Sequence, residues 1–260
     1  MRRTLSFPTG HLREEEISRH VIQYYETIAS DYDRTDLESA KRNAFTEGID
    51  RIVAGGLKGA RPSPRILSIG CGTGRRERRI SDWTGLVLPV VGVDSSETMC
   101  RQARQGGLDV VYAAWPAAVF APRTFGATLC LFSFGVVPSR AGRMEFLGRV
   151  FDALAVGGDL YVDVLNVEAV DGWAPQLREL HASGAMWSGG FEYGDAMFCA
   201  NERGPISYFH YFSAAEIVSL LEAAGFELAT MDYVGHDTCP GKLTTDQRAG
   251  AILLRARRPA

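Results

Sequence analysis

A chain of 260 residues with 46% hydrophobic and 23% charged side chains can bury one large core or two small ones, and it is neither disordered nor fibrous in composition. Its formal net charge of -3 lacks the basic surplus of proteins that live on phosphate backbones, so nucleic acid is not an expected partner. Five cysteines (Cys71, Cys100, Cys130, Cys199 and Cys239), odd in number and with no CxxC pair, argue against a disulfide framework or a structural zinc and for a reducing, cytoplasmic setting.

The first dozen residues read as a loose arm, and Leu5 and Phe7 after Arg2 and Arg3 are too few for a signal-peptide core. From Glu14 onward, Ile17, Val21, Tyr24, Tyr25, Ile28 and Tyr32 recur at three- and four-residue steps, which predicts an amphipathic helix. A second helix is predicted over Glu38 to Val53, and the breaker-rich stretch Ala54 to Pro64 reads as a loop. Short β-branched runs then alternate with helical ones: strands over Arg65–Ile69, Val87–Val93, Val110–Ala113, Ala127–Phe132 and Leu160–Leu165, helices most clearly over Ser96–Arg104 and Gly142–Leu154. The alternation implies βαβ units, hence an α/β fold with a mostly parallel sheet and helices on both faces. The basic run Arg75, Arg76, Arg78 and Arg79, interrupted by Glu77, reads as the solvated face of a helix. The longest hydrophobic stretch, Phe125 to Val137, is too short to span a bilayer, so no membrane partner is expected.

Residues Asn166 to Pro205 break the rhythm, with Trp173, His181, Met186, Trp187, Phe191, Tyr193, Met197 and Phe198 set among glycines. A capping box, Ser213-Ala-Ala-Glu216, then opens a helix with Ile217, Leu220 and Leu221 facing in and Gly225 at its end. Two last runs, Glu227–Val234 and Ala251–Arg255, suit a hairpin at a sheet edge.

The chemistry concentrates where the strand Ile66–Ile69 runs into Gly70-Cys71-Gly72-Thr73-Gly74. Glycines there let the backbone turn tightly and let a ligand approach with no Cβ in the way, while the free amides of the following helix favour a polar or anionic group. About twenty residues on, the next strand ends in Asp94, where α/β nucleotide folds hold a ribose diol. A dinucleotide fingerprint wants its third glycine where this chain has Arg75, so a diphosphate-binding, nicotinamide-dependent oxidoreductase fits less well than a binder of adenosine without phosphates.

With those residues in view, the sequence resembles the class I S-adenosylmethionine (SAM)-dependent methyltransferases, in particular those acting on small molecules. The resemblance runs from about Ser18 to the C-terminus and rests on YYETIASDYD (Tyr24 to Asp33), RILSIGCGTG (Arg65 to Gly74), VVGVDSSETM (Val90 to Met99), LAVGGDLYV (Leu154 to Val162) and HYFSAAEIVSLLEAAGF (His210 to Phe226). It implies one Rossmann-like domain with a seven-stranded, mostly parallel sheet and a reversed C-terminal strand, an N-terminal helical lid over residues 1–60, and an inserted substrate cap over residues 166–205 after the fifth strand. It implies SAM as cofactor, S-adenosylhomocysteine as product and a small molecule as methyl acceptor, with a homodimer an allowed assembly. Carried over residue by residue, Gly70, Cys71, Gly72 and Gly74 belong to the cofactor loop, Asp94 to the ribose, and Ser95 and Met99 to the adenine. Tyr25 and Tyr32 would close over the sulfonium end, and Leu131, Phe132 and Ser133 would lie near the transferred methyl. Ser68, Ala114 and Gly126 stand where the family usually or often has acidic residues, and Trp115 is the group expected to stack on the adenine instead.

A bound sulfonium carries an activated methyl, so alignment and water exclusion are the main requirements, and no nucleophile or metal motif is present. For proton removal the candidates are His210 first, just before the capping box, then His181 and His236, with Tyr25 and Tyr32 also at the reacting end and Asp163 and Glu192 behind them. Two other readings stay open: a SAM-binding protein that does not methylate, and the oxidoreductase.

Overall fold

The computed structural model describes residues 4–5, 12–58, 65–115, 117–184, 191–199 and 206–260. The amphipathic N-terminal pattern becomes helix α1 (Glu14–Ile28), a single 3-10 turn at Ala29–Asp31, and a short helix α2 (Tyr32–Glu38). Helix α3 (Ala40–Lys58) runs five residues past the expected end at Val53, through Gly55 and Gly56. A Cβ on Gly56 would lie 2.5 Å from the Tyr161 hydroxyl, so this residue acts as a close-approach glycine rather than as a breaker. The remainder of the expected loop, 59–64, lies outside the described residues.

The main body alternates as anticipated: β2 (Ile66–Ile69), α4 (Arg75–Thr84), β3 (Val90–Asp94), α5 (Glu97–Gln105), β4 (Asp109–Tyr112), β5 (Phe125–Cys130), α6 (Arg140–Ala153) and β6 (Leu154–Leu165). After the insertion come α8 (Ala214–Ala223), β9 (Glu227–Val234), β10 (Leu243–Thr244) and β11 (Ala251–Arg257). The sheet order is β10-β9-β11-β6-β5-β2-β3-β4, which is the expected seven strands plus the two-residue β10. Strands β6, β5, β2, β3 and β4 are mutually parallel. Strand β11 is antiparallel to both neighbours, β6 and β9. The last two long strands do form an antiparallel pair, but β11 sits inside the sheet and β9 lies toward the edge.

Period-2 burial divides the sheet cleanly. Leu67, Ile69, Val91, Val93, Val162 and Val164 face α6 and α8, while Ile66, Ala127, Leu129 and Tyr161 face α3 and α4. The chain order reverses at β2, which has β3 on one side and β5 on the other. That topological switch opens a crevice at the carboxyl ends of β2 and β5, where open α/β sheets bind their ligands. Among the described residues no helix is long and apolar enough to cross a membrane.

Two polar junctions complete the fold. The arginine run of α4 is not solvated: Arg75, Arg76 and Arg79 have only 13–16% of their side chains exposed. Arg75 pairs with Asp36 at 2.5 Å, Arg76 with Asp50 at 2.7 Å, and Arg79 with the second oxygen of Asp50. Arg78 donates to the Thr73 carbonyl instead. The N-terminal helices therefore clamp onto α4 by charge, which the sequence reading missed because the partners lie 26–39 positions away.

The second junction ties the insertion to the main body. Helix α7 (Ala174–Ala182) and strands β7 (Asp195–Cys199) and β8 (Ile206–His210) fall in or just beyond the irregular segment, and the supposed loose arm contributes β1 (Thr4–Leu5), giving an antiparallel β1-β7-β8 sheet. His210, fully buried on β8, sits 2.6 Å from Asp195 through Nδ1 and 3.1 Å from Glu216 of α8 through Nε2. Tyr208 donates to the same Asp195 oxygen at 2.5 Å, and Arg143 of α6 pairs with Glu192 and lies 3.7 Å from Glu216. Burial alone would lower the His210 pKa, but its bonds to Asp195 and Glu216 outweigh this and raise it above 6.5. The Ser213 hydroxyl caps α8 as expected by accepting from the Glu216 amide, whereas the Glu216 carboxylate turns to His210.

Candidate functional site

At the switch point lies a cavity of about 640 Å³, walled by the glycine loop, the ends of β3 and β5, α1 and α3. Its floor is a cradle of backbone. Gly70 (φ +70°) could not carry a Cβ, which would meet the Ser133 Cβ at 2.5 Å, and the Ser133 hydroxyl donates to the Ile69 carbonyl at 2.7 Å, joining the ends of β2 and β5. Gly72 (φ +55°) is open: a Cβ there would meet only the Met99 sulfur at 4.0 Å. Gly74 shares the left-handed backbone but packs against Leu108 and Arg78 and does not line the cavity.

Asp94 is held from both sides, accepting from the Gly72 amide at 2.8 Å and the Ser96 amide at 2.9 Å. Burial pushes its pKa up, and the backbone donors Ser96 and Gly72 oppose the push, as they favour the ionised form. Ser95, Met99, Ala114, Trp115, Phe132, Ser133, Tyr25 and Tyr32 all line the same cavity, as does Cys71. Trp115 is fixed by its indole N–H donating to the Phe146 carbonyl at 3.3 Å and by ring contact with Phe120. Phe132 adopts φ +58°, an uncommon backbone for a residue with a side chain, and the buried Asp163 holds it by accepting from its amide. Its ring stands between Phe45 and Phe209 at 6.3 and 5.1 Å.

Ser68, in the position usually acidic, donates at 2.6 Å to the buried Glu77 of α4. A carboxylate is thus present next to β2, supplied by the helix instead of the strand; burial raises its pKa.

The three histidines separate. His210 does not reach this cavity, because its ring is enclosed by Asp195, Glu216 and Phe212. His181 lies against Tyr193, away from the cavity. His236 lines it, its ring 4.7 Å from Phe45, and burial lowers its pKa below 6.5 against the opposing pull of Asp237 and Asp171. No described residue of 166–205 lines the cavity. Trp173 packs on Phe198 and Phe191 on Ile17 and Val21, so these aromatics dock the insertion beneath α1, the helix that forms the wall; Met186 and Trp187 lie outside the described residues.

Residues 66–158 match the protein family described as a methyltransferase domain. None of the curated proteins matches the chain in sequence. Among solved structures, the chain is similar to the CcbJ methyltransferase of Streptomyces caelestis (TM-score 0.66, 15% identity, covering 93% of this chain and 99% of that one). It is similar to a SAM-dependent methyltransferase of Methanosarcina mazei (TM-score 0.62, 20% identity, 80% and 97% covered). A third likeness is the 1,6-didemethyltoxoflavin-N1-methyltransferase of Burkholderia thailandensis, whose structure holds 1,6-didemethyltoxoflavin and S-adenosylhomocysteine (TM-score 0.61, 16% identity, 99% and 95% covered).

Proposed function

We propose that this chain, whose residues 66–158 match a methyltransferase domain, uses SAM to transfer a methyl group to a small organic acceptor held in the cavity at the switch point. One observation carries the reading. A glycine cradle with a fixed carboxylate, Asp94, opens without interruption into an aromatic end lined by Phe45, Phe132 and His236. The cradle fits the cofactor, since Gly72 faces open space and a Cβ at Gly70 would close the turn. When bound, SAM supplies a methyl group activated by positive sulfur.

In this reading Gly70, Cys71 and Gly72 hold the cofactor through their backbone, Asp94 accepts from the ribose hydroxyls, and Ser95, Met99 and Trp115 flank the adenine. Tyr25 and Tyr32 cover the sulfonium end, where their rings stand 6.4 Å apart. His236 takes the place that sequence reasoning offered first to His210. It is the histidine that lines the cavity, and burial keeps it neutral near pH 7, the form a general base needs.

Calorimetric titration with S-adenosylhomocysteine and with NAD tests the cofactor assignment. Asp94→Ala should weaken S-adenosylhomocysteine by about 1–3 kcal/mol, the scale of a lost polar partner. Binding of NAD in its place would overturn the assignment. Methyl-labelled SAM incubated with candidate acceptors tests the transfer, and an acceptor consumed without gaining label would favour the non-methylating reading. Because the lowered pKa leaves His236 neutral above its own value, the transfer rate should hold through pH 6.5 and fall only below it. His236→Asn should lower the rate and remove that acid limb, and an unchanged pH profile would exclude the imidazole.

A further inference from the structure

The insertion sends no described residue into the cavity, yet its first residues grip the loop that carries His236. The chain from 235 to 250 leaves β9, forms β10 and returns to β11, and it is held from two sides. On one side it meets α3 backbone to backbone: a Cβ on Gly48 would lie 2.0 Å from the Gly241 carbonyl oxygen. On the other, the residues just after β6 clasp it. The Asn166 side-chain amide donates to the Gln247 and Ala249 carbonyls, each at 2.9 Å, and the Val170 amide donates to the Arg248 carbonyl at 3.2 Å. Asp171 Oδ2 accepts from the Thr238 amide at 2.9 Å, two residues past His236.

The other oxygen of Asp171 is buried and, among the described residues, has no hydrogen-bond partner. A buried carboxylate oxygen left without a donor is costly, so its position calls for a reason. Gly250 shows where it lies. A Cβ there would stand 3.1 Å from Asp171 Oδ1 and 2.3 Å from the His236 Cβ, so the oxygen and the histidine border one small space that only a glycine leaves clear. The charged groups facing His236 are Asp237, with Oδ1 3.7 Å from Nδ1, then Asp171, Arg42 and Lys41. Arg42 is itself paired with Asp36 at 2.8 Å. The Asp237 side chain is 42% exposed and so is screened by water, whereas the buried Asp171 oxygen is not.

We propose that Asp171 is a positioning residue for His236: through Thr238 it holds the loop in place, and its unpartnered oxygen stabilises the positive charge that the ring gains on taking a proton. The insertion thus acts on the site from behind the histidine. A ring buried enough to stay neutral makes a better base with a carboxylate nearby, because the proton it accepts creates a charge in a partly dry place. The imidazole becomes imidazolium in that step and Asp171 keeps its own charge; no proton passes on to the carboxylate.

The proposal rests on the reading of His236 as the base, but its test needs no acceptor. In the 260-residue chain, the His236 ring proton followed by NMR, identified by its loss in His236→Asn, gives the titration midpoint of the ring. Asp171→Asn leaves an oxygen for the Thr238 amide and removes the charge, and should move that midpoint down by about 1 pH unit. If the variant does not fold, the wild-type protein decides: the Asp171 carboxyl carbon signal should move with the midpoint of the His236 ring. A ring midpoint unmoved by Asp171→Asn, or a carbon signal flat through the His236 titration, would overturn the pairing. Once an acceptor is in hand, the acid limb of the transfer rate should move down together with the ring midpoint in Asp171→Asn. A limb that stays in place while the midpoint moves would instead remove His236 as the base, with the pairing itself upheld.

Discussion

The two buried polar junctions solve the same problem with different chemistry. Between the N-terminal helices and α4, Asp36 and Asp50 meet Arg75, Arg76 and Arg79, and arginine does not titrate in any working range. Between the insertion and the main body, Asp195, Glu192 and Glu216 meet Arg143 and His210. Both ring nitrogens of His210 face carboxylate oxygens, so only the doubly protonated ring donates to both. The first junction borders the cavity and its cations are arginines, whose charge is fixed, whereas the second lies behind α1 and depends on a proton.

The sharpest way to break this comparison is Asp50→Asn. Removing the shared, fully buried partner takes from two guanidiniums their nearest carboxylate and should cost about 3–5 kcal/mol in urea unfolding, with little change between pH 6 and pH 9. A loss that varied strongly with pH over that range would mean that the first junction also depends on a titrating group.

His210→Gln should have a smaller effect, about 1–3 kcal/mol at its largest, for the loss of a buried hydrogen-bonded group. Its sign with pH follows from the raised pKa. The histidine's contribution is complete below about 6.5, its unfolded value, and is lost as the pH climbs through the higher value of the folded state. The difference in unfolding free energy between wild type and variant should therefore shrink as the pH rises. A difference independent of pH would reduce His210 to a packing residue and erase the contrast between the junctions.

Local pattern carried most of the architecture. The period-2 and period-3.6 spacings placed β2 to β5 and α5, α6 and α8 within a few residues, with β6 starting six residues early, and the loop Gly70 to Gly74 with Asp94 marked two segments that line the cavity. These features are legible because each depends on residues close together in the chain: a glycine where φ is positive, a capping serine, a β-branched run. Gly56 shows the limit. Its neighbours look like a loop, yet it lies within a helix, and the reason for a glycine there is the approach of Tyr161, more than a hundred positions away.

What the sequence determined by itself was therefore the α/β alternation, the glycine cradle and the carboxylate beside it. Tertiary structure alone decided which charges are buried and which histidine meets the cavity. Arg76 and Asp50 are 26 residues apart, and no local signal marks the run Arg75–Arg79 as paired and not solvated. His210 and His236 are each one histidine beside turn and cap residues; the sheet enclosed the first among carboxylates and left the second at the cavity wall. Backbone preference is a short-range property, whereas desolvation and ion pairing depend on what the fold brings alongside, and the second decides which side chains line this protein's cavity.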